Sequence, residues 1–79
     1  MILVEQKIQS SAELGAAIRA RRKSQGLSQQ ELAGFCGCSA KFLTDLENGK
    51  PTVRLDKVLK VVMMLGMDFY LGGREDARW

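Results

Sequence analysis

From Ser10 onward, apolar side chains recur at spacings of three and four: Leu14, Ala17 and Ile18; Leu32, Ala33 and Cys36; Leu43 and Leu46; then Leu55, Val58, Leu59, Val62 and Leu65. Such a period buries one face of a helix. The polar positions between these groups mark the ends. Ser10-x-x-Glu13 and Ser28-x-x-Glu31 are capping boxes, which predict one helix from Ser11 to Gln25, stopped by Gly26, and a second of about eight residues up to Gly37. Ser39 is placed to cap a third helix of similar length, ended at Asn48-Gly49. The fourth runs through LDKVLKVVMML to Gly66, with Leu55, Val58, Leu59, Val62 and Leu65 expected on its inner face.

After Gly66 the period changes. Met67, Phe69 and Leu71 alternate with Asp68 and Tyr70, which predicts a short strand, and Ile2, Val4 and Ile8 carry a weaker version of the same pattern. The expected fold is all-α: a compact four- to five-helix bundle containing a helix-turn-helix, with a short C-terminal strand pairing across a dimer. Its divisions are an N-terminal arm or strand (1–10), a helix-turn-helix domain (11–66), a dimerisation strand (67–71) and a flexible tail (72–79).

Seventy-nine residues are barely enough to enclose one core, so association with a second copy is expected. Val61, Met64, Met67, Phe69 and Leu71, with Met63, are the surface assigned to that homodimer; the plain alternative is that they fill a monomer core or pair with Ile2–Ile8. The longest apolar run, Val61–Leu65, is too short to cross a membrane, and Glu5 and Lys7 interrupt what would have to be a secretory signal. A cytoplasmic chain with no membrane partner is expected.

A net charge of +3 permits nucleic-acid binding without requiring it. Its placement matters more, because Arg19, Arg21, Arg22 and Lys23 crowd the end of the first helix, either as an attractive patch or as a solvated helix end. With no histidine, no glycine-rich phosphate loop and no paired carboxylates, enzyme readings lose their material. The two cysteines, Cys36 and Cys38, supply two metal ligands at most, and a disulfide between them would close a strained ring. They are expected to act as small buried hydrophobes, with no metal and no cofactor.

Two short helices joined by a tight turn form a helix-turn-helix, whose second helix enters the major groove of double-stranded DNA by its N-terminal part. That places Ser39, Ala40, Lys41 and Thr44 at base edges. Lys41 is suited to guanine, Thr44 to a base hydrogen bond or a thymine methyl, and Ala40 to an apolar contact only. The start of the preceding helix, Ser28-Gln29-Gln30, offers unpaired amides to a phosphate, and Asn48, Lys50 and Arg54 are placed for further phosphates. Phe42 either touches a thymine methyl or packs on the fourth helix. A two-fold dimer of such units implies a palindromic operator.

The segments "LSQQELA", "GCS" and "LTDLENGK", set in that order between Ile18 and Leu65, resemble the Xre-type (lambda-repressor-like) helix-turn-helix family. Within it the chain is similar to HipB-type antitoxins in its shortness, in a strand directly after the fourth helix and in a tail with tryptophan at its tip. The resemblance implies a small dimer that represses its own operon and holds a HipA-like kinase toxin. It also implies an ion pair between Arg22 and Glu47 and readout positions at Ser39, Ala40, Lys41 and Thr44. Trp79 is then expected to anchor the partner, or else to fold back on its own domain. The alternatives are a stand-alone Xre-type regulator and a protein-interaction module without DNA binding.

Overall fold

The computed structural model describes residues 5–74 and contains α1 (Ser11–Ser24), α2 (Gln29–Cys36), α3 (Ala40–Glu47) and α4 (Leu55–Met64). The caps expected from the sequence start three of them. Ser10 Oγ accepts from the Glu13 amide and Ser39 Oγ from the Phe42 amide, while Ser28 and Glu31 bond reciprocally, at 3.0 Å and 2.9 Å. The first box is displaced by one residue, since the Glu13 carboxylate accepts from the Gln9 amide at 2.7 Å. α4 starts at Arg54 with no side-chain cap.

One core joins the four helices. Ile18 of α1 meets Leu32, Ala33 and Cys36 of α2, Leu43 and Leu46 of α3, and Val58, Val61, Val62 and Leu65 from α4 and its end. Cys36 is 4% exposed and Cys38 half-buried against the core, both as free thiols, which makes the C-G-C the apolar inside of a turn. Burial pushes the Cys36 thiol above its ordinary pKa, the nearby Cys38 adds to this, and Lys60 opposes it. Cys36→Ser would bury a hydroxyl in this apolar pocket and is expected to cost about 1–3 kcal/mol, read from a thermal melt.

Two expectations for α4 are corrected. Leu55 and Leu59, assigned to the inner face, are 66% and 41% exposed, and Val61, assigned to a dimer interface, is fully buried in its own chain. The inner stripe is Val58, Val61, Val62 and Leu65, because α2 and α1 approach the helix about one residue's rotation away from the Leu55–Leu59 line. Leu55, Leu59 and Met63, four residues apart, therefore form a second apolar stripe turned to solvent.

Met67–Leu71 is neither helix nor strand in the single chain. Met67 packs on the core, whereas Phe69 and Leu71 are exposed. Ile2, Val4 and the tail residues through Trp79, apart from 72–74, lie outside the described residues. No helix among those described is long and apolar enough to cross a membrane, and among them no three His, Cys, Asp or Glu side chains converge as a metal site.

α1 and α3 approach so closely that Gly15 and Gly49 have no substitute. A Cβ on Gly15 would collide with the carbonyl oxygen of Leu46 and stand 2.7 Å from that of Glu47. Gly49 ends the α3 turn at φ +82° with the Ala12 Cα 2.8 Å from where its Cβ would be, so both conformation and space exclude a side chain.

Candidate nucleic-acid interface

Two short helices, α2 and α3, meet through the Gly37-Cys38 turn, where the Cys38 amide donates to the Ala33 carbonyl at 3.0 Å. This packing leaves one side of α3 in solvent: Ser39, Lys41 and Thr44 are exposed and Ala40 half-buried. Thr44 Oγ1 is 2.9 Å from Gln29 Oε1, so the start of α2 lies directly beside the middle of α3. The expected phosphate and base-reading groups Gln29 and Thr44 thus share one surface. Gln29 and Gln30 are the first residues of α2, and their amides have no partner within the helix. Ser28 is half-buried and its oxygen is used as the cap, with Glu31 beside it. Hydrogen bonds from the Ser28 amide and then its hydroxyl hold the Glu31 carboxyl below its ordinary pKa, which puts a negative charge at this helix end.

The remaining cations have acidic neighbours that the pattern of basic residues did not reveal. Lys41 Nζ is 3.2 Å and Lys50 Nζ 3.6 Å from Asp45 Oδ2. The hydrogen bond from Lys41 is the main cause of the depressed pKa of Asp45. Asp45 lies four residues after Lys41 on α3, a spacing visible in the sequence, and is not among the residues expected there. Arg54 pairs with Asp56 at 2.7 Å on the loop before α4; no bond ties it to the α3 face. Asn48 is exposed just past the end of α3.

The basic cluster at the end of α1 divides by role. Arg21 Nε donates to the Leu65 carbonyl at 2.9 Å, and Gln25 Nε2 donates to the same oxygen at 2.8 Å, so both close the C-terminus of α4. Arg22 is buried and forms a two-pronged bond to Glu47, Nε to Oε2 at 2.7 Å and Nη2 to Oε1 at 2.9 Å, while Nη1 reaches the Leu27 carbonyl at 2.8 Å. Burial pushes the Glu47 carboxyl up, but the bonds from Arg22 and Gln29 and the Arg22 charge outweigh it and hold it below its ordinary value. Arg19 and Lys23 are left exposed. Phe42 is half-buried on the core with the Lys57 ammonium 5.7 Å from its ring centroid, which places it against α4.

The carboxylate on this face opposes binding of a polyanion. Asp45→Asn is expected to strengthen DNA binding and to steepen the log–log salt dependence by about one unit, by releasing Lys50 to a phosphate while Lys41 is freed for a base edge. Titrations of a duplex at several salt concentrations check this; an unchanged slope would show that Lys50 is not released.

Residues 13–69 match the family described as helix-turn-helix domain. Over 60 residues the chain is 48% identical to an uncharacterized HTH-type transcriptional regulator, y4mF, of Sinorhizobium fredii, covering 76% of this chain and 79% of the relative. It superposes on a chain of the solved HipA-HipB-O2-O3 complex with a TM-score of 0.81 at 27% identity, over 90% of this chain and 100% of the other. The restriction-modification controller protein C.AhdI from Aeromonas hydrophila is similar at a TM-score of 0.66 and 29% identity, over 73% of this chain and 84% of that one.

Proposed function

We propose, since this chain belongs to the helix-turn-helix domain family and is a DNA-binding transcriptional regulator of the Xre and HipB type, that it represses its own operon as a dimer and is the antitoxin of a HipA-like kinase toxin. The observation that carries this reading is the likeness to HipB, which extends over 90% of the chain and beyond the helix-turn-helix itself. Lys41 and Thr44 read bases; Ser39 and Ala40 stand beside them. Ser28, Gln29, Gln30, Asn48, Lys50 and Arg54 hold phosphates. The protein works where DNA is, in the cytoplasm.

The dimer is supported by apolar surface that one chain leaves uncovered. Leu55, Met63 and Met64 on α4 are 66%, 73% and 47% exposed, and Phe69 and Leu71 follow in a stretch that pairs with none of the described residues. Covering them with a second copy, and pairing 67–71 across the two-fold axis, removes an apolar patch and an open edge together. Two α3 helices about 34–36 Å apart then face successive major grooves of a palindrome.

The test mixes the purified protein with a duplex spanning the DNA upstream of its own coding region, and separately with the product of the adjacent gene. Binding of a dimer to the duplex and a stable complex with a kinase-like neighbour are expected. DNA binding without a protein partner leaves a stand-alone regulator, the reading that the likeness to C.AhdI favours; a partner complex without DNA binding leaves an interaction module.

A further inference from the structure

The hydroxyl of Thr44 is not a free group. It lies 3.0 Å from the Ala40 carbonyl oxygen and 2.9 Å from Gln29 Oε1. The amide of Gln29 is in turn oriented by Glu47, whose side chain is 2% exposed and whose Oε1 accepts from Gln29 Nε2 at 3.1 Å. An ionised carboxylate accepts and never donates, so Gln29 has to turn its nitrogen toward Glu47 and its oxygen toward Thr44. Arg22 holds the carboxylate ionised and fixed from the other side. Both polar neighbours of the Thr44 hydroxyl are therefore acceptors, and its single proton is directed inward to one of them. What remains toward solvent is a lone pair and the methyl group.

We propose that Thr44 reads DNA as a hydrogen-bond acceptor, taking the exocyclic amino group of one adenine or cytosine in each half-site, and that Gln29 and Glu47 are positioning residues for that contact. The proposal rests on the DNA-binding reading above and deepens it. In the major groove the donors are adenine N6 and cytosine N4, while guanine N7 and O6 and thymine O4 are acceptors. An acceptor-only hydroxyl rewards the first set and repels the second. The second hydrogen on Gln29 Nε2 stays available for a phosphate, so Gln29 serves both the backbone contact and the orientation of Thr44.

The experiment selects a duplex from a randomised pool with the wild-type protein, then deletes amino groups one at a time, with purine in place of adenine and 2-pyrimidinone in place of cytosine. At one base per half-site, deletion is expected to weaken wild type and Thr44→Ser about tenfold and to leave Thr44→Val unaffected, because valine keeps the shape and has no lone pair. Gln29→Ala is expected to shrink that difference although Thr44 is still present; an undiminished difference would overturn the positioning role. Equal losses for wild type and Thr44→Val at every base would overturn the acceptor contact while DNA binding stands. If no duplex is selected at all, the DNA-binding reading falls and this contact with it.

Discussion

Replacing Glu47 with alanine is expected to destabilise the fold by about 3–5 kcal/mol, the cost of leaving a buried charge without its partner. Arg22 is 7% exposed, and its bonds to Glu47 are the only carboxylate contacts it makes among the described residues. Without them the guanidinium keeps the Leu27 carbonyl alone. For a chain of this size the melting temperature should fall on the order of 15 °C or more. The double change Arg22→Met, Glu47→Leu should cost less than Glu47→Ala, since a well-packed apolar pair leaves no charge stranded. Acid should reproduce part of the effect. Glu47 titrates below its ordinary 4.5 in the folded chain, so its contribution is complete above that value and is lost as the pH falls through it toward the folded-state value. Thermal melts from neutral pH down through the ordinary 4.5 of Glu47 should show a steeper decline in wild type than in Glu47→Gln. Parallel curves would mean that the pair does not hold the carboxylate as the geometry implies.

Gly15→Ala should be the second most damaging single change, in spite of being a substitution that favours helix. At a free helical position alanine gains about 1 kcal/mol over glycine. Here the new methyl meets the backbone carbonyls of Leu46 and Glu47, with the Glu47 carbonyl carbon 2.9 Å away, and no side-chain rotation relieves the contact. Separating α1 from α3 also pulls Glu47 away from Arg22, so a loss of about 3 kcal/mol is expected, at the upper end for overpacking. Gly34→Ala is the internal control: it lies in α2 with nothing within 4 Å of its added Cβ and should be neutral or stabilising. A denaturant midpoint that moved in the same direction for both would contradict the close-approach account.

What was legible in the sequence is what local chemistry decides. Ser10, Ser28 and Ser39 fixed three helix starts because a cap and its amide are three residues apart, and Gly37, Gly49 and Gly66 lie at the ends of α2, α3 and α4. The Arg22–Glu47 pair came from the family resemblance, not from spacing. On α4, Val58, Val62 and Leu65 face the core as expected, whereas Leu55 and Leu59 do not, because LDKVLKVVMML carries two overlapping stripes at the same period and only the approach of α1 and α2 selects between them. Arg21 and Gln25 look like part of a basic, polar helix end until Leu65, 44 and 40 residues away, arrives to receive their bonds. Gly15 had no visible role for the same reason. At the DNA-facing surface, the groups themselves were readable from the helix starts, but the Gln29–Thr44 bond joins two helices across 15 positions and follows from the fold alone.

One surface, the start of α2 with the exposed side of α3, is proposed to meet DNA. Backbone amide shifts of the protein, followed while a duplex from its own upstream region is added, test it most directly. Changes are expected to concentrate at Ser28–Glu31, Ser39–Asp45 and Asn48–Arg54 and to spare the Leu55, Leu59 and Met63 stripe of α4. Changes centred on α4 or on 67–74 with none at Gln29, Lys41 and Thr44, or no changes anywhere, would contradict it.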